Sequence, residues 1–363
     1  MSKETILALA PMDGVTDYPF RQVVKKYGQP DLLFTEFVSV EGLCRGAAGS
    51  LMPHLDYSPQ QQPIIAQIFG KTPDYFYLVS LLVAELGFAG VDLNMGCPAK
   101  TVAQSGSGAA LIGQPQLAQE IIQAAKQAMQ DWAEGKSLAD CQGVNPKLLT
   151  ALAKQKTLWS LADAPRKLLP VSVKTRIGLL ANELEEWLPH LIEAQPATIS
   201  IHGRSLKQGY SGQADWSAIA QARDMIKQAN PQIKVFGNGD VVNYEMAQER
   251  ARQAAVDGIL IGRASFGQPF VFLPAKKRQA LMTQSKRFEI VLDHAHIFAD
   301  YQHLRGHNKF WNIRKHLAWY IKGMPDAAQL RAQLVRTDNV QQVAALLKQW
   351  QEEHQTDNDQ AAI

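Results

Sequence analysis

Residues 197–203 have the sequence ATISIHG, a short apolar run that ends in a polar side chain and a glycine. Seven comparable runs occur along the chain, and helix-like patterns separate most of them. They are ILALA (6–10), DLLFTEF (31–37), PIIAQIF (63–69), GVDLN (90–94), PVSVKTRI (170–177), IKVFGNG (233–239) and GILIGR (258–263). Near-continuous apolar strands that alternate with helices are typical of a parallel sheet covered on both faces.

Eight such units in about 260 residues match a (β/α)₈ TIM barrel in number and size. A doubly wound open sheet is the alternative architecture. That fold normally has fewer strands and a glycine-rich turn after the first strand, whereas the first turn here reads Pro-Met-Asp-Gly over residues 11–14. The sequence therefore favours the barrel.

Helices are predicted over residues 73–86 and 115–132, each beginning at a proline. The connection between the fourth and fifth strands is unusually long, and residues 133–169 within it contain Gly135, Gly143, Pro146 and Pro165. A further helix is predicted over 146–162. Connections of this length are uncommon in compact domains, so we interpret 133–169 as an insertion without assigned chemistry.

Strand patterns stop after the eighth run. The sequence therefore predicts a barrel domain over residues 1–272, a C-terminal all-helical domain over 273–350 and a flexible tail over 351–363. The formal net charge of the whole chain is +3. Residues 275–322 contain ten Lys and Arg against three acidic residues, about +7, so the rest carries about −4. A solvated helical surface explains such a segment, and so does a nucleic-acid partner.

Composition excludes several classes of protein. With 46% hydrophobic and 20% charged residues, the chain is neither disordered nor fibrous. Its three cysteines, Cys44, Cys97 and Cys141, form no C-x-x-C pair, which argues against a disulfide framework and a zinc ribbon. No secretory leader and no membrane span is expected, since every apolar run is too short. We expect a cytoplasmic protein that acts as a monomer.

Polar residues cluster at the carboxyl ends of the predicted strands, where barrel enzymes have their active sites. Reading around the barrel, these residues are Met12, Asp13, Glu36, Gln67, Asn94, Cys97, Lys174, Arg176, His202, Arg204, Asn238, Asp240 and Arg263. Polar side chains at every strand end indicate one large polar ligand across the mouth of the barrel. No spacing typical of a metal site occurs among them.

Glycine-rich turns follow strands seven and eight, as Gly-Asn-Gly-Asp over 237–240 and as Gly262-Arg263. In barrels these two loops commonly bind phosphate, because glycines let backbone N–H groups approach the oxygens and an arginine adds a bidentate contact. Tight turns without a ligand are the alternative explanation. We favour a phosphate site.

Lys174 lies inside an apolar strand, and a buried cation must be paired or hydrogen-bonded. Two roles fit: it holds negative charge on a reduced flavin ring, or it forms a structural ion pair with a barrel acid such as Asp92. Cys97 lies on a strand-end loop between Gly96 and Pro98, which suits a nucleophile or a proton donor better than a core residue. His202 alone is as consistent with a structural role as with ligand contact.

Motifs at these positions resemble those of the bacterial tRNA-dihydrouridine synthases. They are LAPMDGVTDYPFR (9–21), TEFVSVEG (35–42), AQIFG (66–70), GVDLNMGCPAKTVAQSGSGAALI (90–112), VSVKTRIG (171–178), ISIHGRSLKQGYSG (199–212), GNGD (237–240) and GILIGRA (258–264). The similarity runs in order from residue 5 to about 272, and FWNIRKHLAWYIKGMP (310–325) looks like the family's helical tRNA-binding domain.

The resemblance implies roles for individual residues. Cys97 matches the family's proton donor. The positions that match flavin-binding residues are Pro11, Met12, Asp13, Gln67, Lys174, His202, Asn238, Gly239, Asp240, Gly262 and Arg263. Those expected to contact the RNA substrate are Glu36, Asn94 and Arg176 near the target base, with Arg314 and Lys315 in the basic helical domain.

The same resemblance implies an FMN-dependent oxidoreductase that reduces a D-loop uridine of tRNA, with NADPH as reductant. The TEFVSVEGL and KQGYSG segments look most like the type acting on uridine 16. Two alternatives stay open. One is an FMN-dependent dehydrogenase of a free pyrimidine, similar to dihydroorotate dehydrogenase, which leaves the basic domain unexplained. The other is a tRNA-binding protein without catalysis.

Overall fold

The structure, a computed structural model, describes residues 5–324 and 327–360. Within them, eight parallel strands close into one barrel in chain order. The strands are β1 (Ile6–Leu9), β2 (Leu32–Ser39), β3 (Ile64–Phe69), β4 (Gly90–Met95), β5 (Val171–Arg176), β6 (Thr198–His202), β7 (Lys234–Asn238) and β8 (Gly258–Ile261). β1 pairs with both β2 and β8, which completes the ring. The predicted (β/α)₈ barrel is confirmed, and the open-sheet alternative is wrong.

Helices follow the strands and continue beyond the barrel. They are α1 (Tyr18–Gly28), α2 (Val40–Gly42), α3 (Ala48–Leu51), α4 (Pro73–Glu85), α5 (Lys100–Gln104), α6 (Pro115–Ala133), α7 (Pro146–Leu158), α8 (Leu184–Glu193), α9 (Trp216–Ala229), α10 (Tyr244–Ala254), α11 (Ala275–Leu281), α12 (Gln284–Leu304), α13 (Arg314–Ile321), α14 (Ala328–Leu334) and α15 (Val340–Gln360). The two helices predicted over 73–86 and 115–132 are α4 and α6.

Strand alternation separates the barrel interior from the helix-facing side, because successive side chains point to opposite faces. In β5, the hydroxyl of Thr175 accepts a hydrogen bond from Trp187 Nε1 of α8 at 3.0 Å, so Thr175 faces the helices. Ser172, three residues earlier, instead donates to the buried carboxylate of Asp92. A small apolar cluster forms part of the interior: Ala8, Ala10, Phe34, Ile65, Phe236 and Leu260.

The chain forms two compact units that do not follow a single cut of the sequence. The first comprises residues up to Asp17 together with Pro30–Gly262, and it holds the barrel. The second comprises Tyr18–Gln29, which is α1, together with the chain from Arg263 onward. The predicted C-terminal all-helical region is confirmed, and its apolar core includes Val23 and Tyr27 of α1.

The long connection between β4 and β5 carries α7, which ends at Leu158 rather than at the predicted residue 162. Just beyond its end, Trp159 Nε1 donates to Asp56 Oδ1 at 2.6 Å, and Ser160 adopts a positive φ of 47° that leaves the helical region. Gln155 Nε2 donates to the same fully buried carboxylate. This pair of contacts anchors the connection to the barrel unit.

At the C-terminus, α15 continues through residues 351–360, the stretch for which the sequence suggested a flexible tail. Glutamine and glutamate, which begin this stretch, are good helix formers. Residues 361–363 lie outside the described residues.

Candidate active site at the mouth of the barrel

Strand register places the predicted site residues of β3 to β7 next to one another. Asn94 of β4 is level with Lys174 of β5, Arg176 with His202 of β6, and His202 with Asn238 of β7. These side chains lie at the carboxyl ends of adjacent strands, so the barrel brings together residues far apart in the sequence. Their convergence follows from parallel strand order alone.

A hydrogen-bonded layer lies beneath this ring, inside the barrel. The carboxylate of Asp92 accepts from Gln67 Nε2 at 2.7 Å and from Ser172 Oγ at 2.6 Å. Asp92 is fully buried, and this burial raises its pKa to about 6, against the lowering effects of the two hydrogen bonds and of Lys174. Gln67 is held further by its backbone N–H, which donates to Thr35 Oγ1 at 3.0 Å. Both Asp92 oxygens therefore have partners other than Lys174.

Lys174 has no hydrogen bond or ion pair to any residue that the structure describes. The structural ion pair with Asp92, weighed above, does not form. The pKa of Lys174 is lowered to about 8, mainly by burial and also by the charge of Arg176, while Asp92 and Cys97 act in the opposite direction. Ser200, level with Lys174 on β6, has a buried hydroxyl that likewise lacks a partner among the described residues. An amine and a hydroxyl thus lie side by side on neighbouring strands without acceptors in residues 5–324 and 327–360.

Asn94 fixes the turn that carries Cys97. Its Oδ1 accepts from the backbone N–H groups of Gly96 at 3.1 Å and Cys97 at 2.9 Å, and its Nδ2 donates to Gln67 Oε1 at 3.0 Å. All polar contacts of this amide that the structure shows are therefore to the protein. Asn94 connects the interior layer to the Cys97 backbone.

Two glycines allow close packing around Cys97. A Cβ on Gly96 would lie 3.1 Å from the backbone carbon of Thr175, so the turn rests directly against β5. A Cβ on Gly108 would lie 3.2 Å from the Cβ of Cys97, and Gly108 has a φ of +60°. Residues larger than glycine at either position would displace the cysteine. The glycine at position 108 of the motif quoted above for residues 90–112 therefore has a structural reason next to the thiol.

The Cys97 side chain is 8% exposed. Burial raises the pKa of its thiol, and the charge of Asp13 raises it further, while the Ala99 backbone N–H, Arg176 and Lys174 act in the opposite direction. A thiol with a raised pKa stays protonated at neutral pH. Cys97 is therefore a buried, protonated thiol within the electrostatic influence of Arg176 and Lys174.

Arg176 connects the Cys97 turn to the loop after β6. Its Nε donates to the Gly96 carbonyl at 2.7 Å, and its Nη1 donates to the carbonyls of Ser205 and Gly209 at 3.0 and 3.1 Å. The guanidinium is almost fully buried, which lowers its pKa. These contacts give Arg176 a positioning role that its place in the sequence did not reveal.

Arg204, which the resemblance did not assign, organises the other side of the mouth. Its Nη2 contacts both carboxylate oxygens of Asp240 at 2.8 and 2.7 Å and the Gly212 carbonyl at 2.6 Å. Asp240 also accepts from the Ala214 N–H at 2.7 Å. The predicted flavin-binding Asp240 is thus held by protein contacts. The one available sequence signal was the position of Arg204 two residues after His202 at a strand end.

The strand-seven loop has the close backbone approach expected of a glycine-rich turn. Gly239 adopts a φ of +130°, and a Cβ there would lie 2.4 Å from the Cβ of Ala214. The neighbouring Asn238 donates from Nδ2 to the Leu260 carbonyl at 2.8 Å, which ties β7 to β8. At the end of β8, a Cβ on Gly262 would lie 3.4 Å from the Met12 sulfur, so Met12 and Gly262 adjoin.

Glu36 reaches the turn that follows β1. Its Oε1 accepts from the Gly14 N–H at 2.6 Å, and its Oε2 lies 3.4 Å from His54 Nδ1. Glu36 is buried, whereas Asp13, next to Gly14, is exposed. Glu36 therefore orders the loop that carries Pro11, Met12 and Asp13.

Three predicted site residues belong to the second unit. Arg263 begins a short 3₁₀ helix, Arg263–Ser265. Arg314 donates from Nε to the Thr337 carbonyl at 2.8 Å and pairs with Asp338, so its guanidinium stabilises the helical unit itself. Lys315 is exposed.

The described residues contain no group of three or more His, Cys, Asp or Glu side chains arranged to hold a metal ion. No helix within 5–324 and 327–360 combines the length and apolar composition that crossing a bilayer requires.

Comparison with known proteins gives consistent matches over nearly the whole chain. The sequence model described as Dihydrouridine synthase (Dus) matches residues 8–133 and 153–357. Its gap, residues 134–152, falls inside the long connection that carries the start of α7.

Curated relatives cover similar lengths. A probable tRNA-dihydrouridine synthase of Staphylococcus aureus (strain COL) is 33% identical over 355 residues, which is 97% of this chain and 94% of the relative. The probable tRNA-dihydrouridine synthase 2 of Bacillus subtilis (strain 168) is 32% identical over 348 residues, 95% of this chain and 94% of the relative. Among solved structures, histamine dehydrogenase from Rhizobium sp. 4-9 superposes with a TM-score of 0.46 and 12% identity, over 80% of this chain and 49% of that one.

A family match across both parts of the chain, together with relatives one-third identical over nearly its full length, shows that this protein belongs to the dihydrouridine synthase family.

Proposed function

We propose that this protein is a flavin-dependent tRNA-dihydrouridine synthase that reduces the C5–C6 bond of a uridine. The observation that carries the proposal is Cys97, a protonated thiol on a turn fixed by Asn94 and Arg176. Near it lies Lys174, a cation without a hydrogen-bond or ion-pair partner in the part of the chain that the structure describes. The names of the curated relatives support tRNA as the substrate.

Proton delivery is the step that the chain's own residues explain. The C5–C6 double bond of uracil is conjugated with the C4 carbonyl, so addition of a hydride at C6 leaves an enolate that needs a proton at C5. Cys97 holds that proton on Sγ, and the bond from Sγ to hydrogen breaks as the C5–H bond forms. The resulting thiolate is stabilised by the Ala99 N–H and by the charges of Arg176 and Lys174, which lower the Cys97 pKa.

The residues present suit FMN as the proposed cofactor. When bound and reduced by NADPH, FMN supplies the hydride for C6. Two hydrogen-bond donors support this fit. Lys174 Nζ and the buried Ser200 Oγ have no acceptors among the described residues, so they are suited to bind an anionic ring edge or a phosphate of the cofactor. Further proposed cofactor-binding residues are Pro11, Met12, Asp13, Gln67, His202, Asn238, Gly239, Asp240, Gly262 and Arg263.

On the substrate side, the target base must leave its stack to reach a barrel mouth. We propose that Glu36, Asn94 and Arg176 shape the pocket for this base and that residues 273–350, including Arg314 and Lys315, bind tRNA. Uridine 16 is the proposed target, because the segments around Glu36 and Tyr210 resemble the type acting there. The enzyme is proposed to act as a cytoplasmic monomer.

A direct experiment tests this function. The purified chain is examined for the absorbance spectrum of FMN, then incubated with NADPH and tRNA from a strain that lacks the gene, and dihydrouridine is mapped along the tRNA. We expect bound flavin and dihydrouridine at position 16. Reduction of free uridine or dihydroorotate chemistry would favour the free-pyrimidine enzyme, and a flavin-free protein that binds tRNA without reducing it would favour the non-catalytic binder.

A further inference from the structure

The helical unit contains a recess of about 650 Å³ at the end of α13. That volume lies within the range of about 300–1,000 Å³ typical of ligand pockets. α13, residues 322–324 after it and α14 contribute its walls, and the lining residues are Ala318, Trp319, Lys322, Gly323, Met324 and Arg331. None of these residues belongs to the barrel unit or to the site described above.

Trp319 is held in one orientation within this recess. Its indole stacks on Phe266, with ring centroids 4.2 Å apart and ring planes 6° apart, and the His316 ring meets it edge to face at 4.7 Å. Behind it, Gly267 has a φ of +67°, and a Cβ there would lie 2.2 Å from the Trp319 carbonyl oxygen. The backbone of Gly267 therefore packs directly against that of Trp319. An aromatic wall fixed in this way loses little entropy when it binds a flat ligand.

Two cations border the same recess. Lys322 is exposed and Arg331 is half-buried. Neither side chain forms an ion pair or a hydrogen bond with the residues that the structure describes, although many basic side chains of this unit do, such as Lys26 with Asp293 and Arg314 with Asp338. The recess thus combines an immobilised indole, the apolar Ala318 and Met324, and two positive charges that have no partner among the described residues.

We propose that this recess binds an unpaired nucleotide of the tRNA substrate, a role that rests on the proposed function. Stacking of bases on aromatic side chains combined with cations along the backbone is the general way in which proteins hold unpaired nucleotides. The base packs against Trp319 and Met324, and its flanking phosphates contact Lys322 and Arg331. A simple anion such as phosphate would contact the two cations but would not stack on Trp319, so a nucleotide fits the recess better.

Paired variants test the cations. We compare Lys322→Glu/Arg331→Glu with Lys147→Glu/Lys154→Glu, whose lysines are exposed on α7, lie outside residues 273–350 and do not line the recess. Both doubles change the charge equally. The affinity for tRNA is measured by filter binding at two salt concentrations, and we expect the first double to bind about tenfold more weakly and the second less than about threefold. Lys322→Gln/Arg331→Gln should show an intermediate loss, and circular dichroism checks that each variant is folded.

A second measurement tests the aromatic wall without RNA. Uridine monophosphate is titrated into the intact protein while tryptophan fluorescence is followed, with inorganic phosphate as the comparison. We expect quenching by the nucleotide and not by phosphate, and loss of that quenching in Trp319→Phe. Equal weakening in the two charge-reversed doubles, or quenching that survives in Trp319→Phe, would overturn the nucleotide site. Absence of dihydrouridine formation by the unmodified chain would instead reject the proposed function.

Discussion

The side-chain oxygen of Asn94 accepts a hydrogen bond from the backbone N–H of Cys97 at 2.9 Å. The same amide donates to Gln67, whose own amide donates to the buried Asp92. The position of the thiol therefore depends on a chain of three buried side chains that begins in the barrel interior. Such preorganisation matters because a displacement of about 1 Å can lower a rate about a hundredfold.

Replacing Cys97 with alanine should retain bound flavin and reduce dihydrouridine formation by about 10²–10⁴-fold, since a positioned general acid contributes roughly that much. Quantifying dihydrouridine in tRNA by mass spectrometry, with flavin content from absorbance, checks this. Cys141→Ala is the matched control, because Cys141 lies in the long connection and is half-buried. An unimpaired rate in the Cys97 variant would remove the proton-donor role.

Asn94→Ala should lower kcat and destabilise the fold by about 1–3 kcal/mol, because it leaves the buried N–H groups of Gly96 and Cys97 without their acceptor. Urea denaturation measures the stability, and single-turnover kinetics measures the chemical step. We also expect a changed pH profile of the chemical step, since the turn determines the surroundings of the thiol. If stability falls while the single-turnover rate and its pH profile stay unchanged, Asn94 supports the fold only.

Flavin affinity should fall as the pH rises above about 8, the pKa to which burial lowers Lys174. The amine attracts an anionic group only while protonated, and a lowered lysine pKa means that this charge is lost on the alkaline side. Lys174→Ala should bind flavin weakly at every pH, and Lys174→Arg should bind it without the loss near pH 8, because a guanidinium stays protonated. Fluorescence titration of the apoprotein with FMN measures this; an identical pH dependence in all three proteins would exclude Lys174 from the site.

Arg204→Ala should destabilise the protein by about 2 kcal/mol, because it removes the cation that pairs with Asp240 and the donor to the Gly212 carbonyl. This destabilisation is smaller than the roughly 3–5 kcal/mol expected for breaking a fully buried ion pair, because Asp240 is about one-third exposed. Thermal unfolding with and without FMN measures the change. Lys348→Ala, which removes an exposed pair with Glu352, is the control and should have little effect. Equal shifts in both variants would contradict a special role for Arg204.

Lys315→Glu should weaken tRNA binding and reduce the slope of log affinity against log salt by about one or two, as expected when a phosphate contact is lost. Arg314 is a poorer choice for this test, because its contacts with Thr337 and Asp338 would be broken as well. Filter binding between low and physiological salt provides the slope. An unchanged slope would indicate that Lys315 does not contact phosphate.

The barrel could be predicted from the sequence because each strand is a short apolar run bounded by turn residues, and parallel order then brings the strand ends together. Lys174 and His202 were placed at the mouth in this way. Pairings across long separations could not be predicted: Arg204 and Asp240 are 36 residues apart, and Gln155 and Asp56 are 99 apart. Periodicity determines the face on which a side chain lies but not which donor reaches which acceptor.

Because long-range pairings cannot be predicted from periodicity, the sequence alone could not decide whether Lys174 pairs with Asp92. The sequence offered Asp92 as its partner, and the choice depended on whether other donors would occupy that carboxylate. Gln67 and Ser172 do so, one from each neighbouring strand. The sequence also could not predict that α1 belongs to the helical unit, because its amphipathic pattern resembles that of any helix between two barrel strands.

That membership has a consequence during synthesis on the ribosome. The helix Tyr18–Gly28 is synthesised long before α12, which begins only at Gln284. In the folded protein, Lys26 and Tyr27 of α1 donate hydrogen bonds to Asp293 of α12. At about 5–20 residues per second, this interval is roughly 10–50 s. Throughout that time the side chains of α1 that pack in the helical unit lack their α12 partners, so the nascent chain must keep them shielded until α12 has been made.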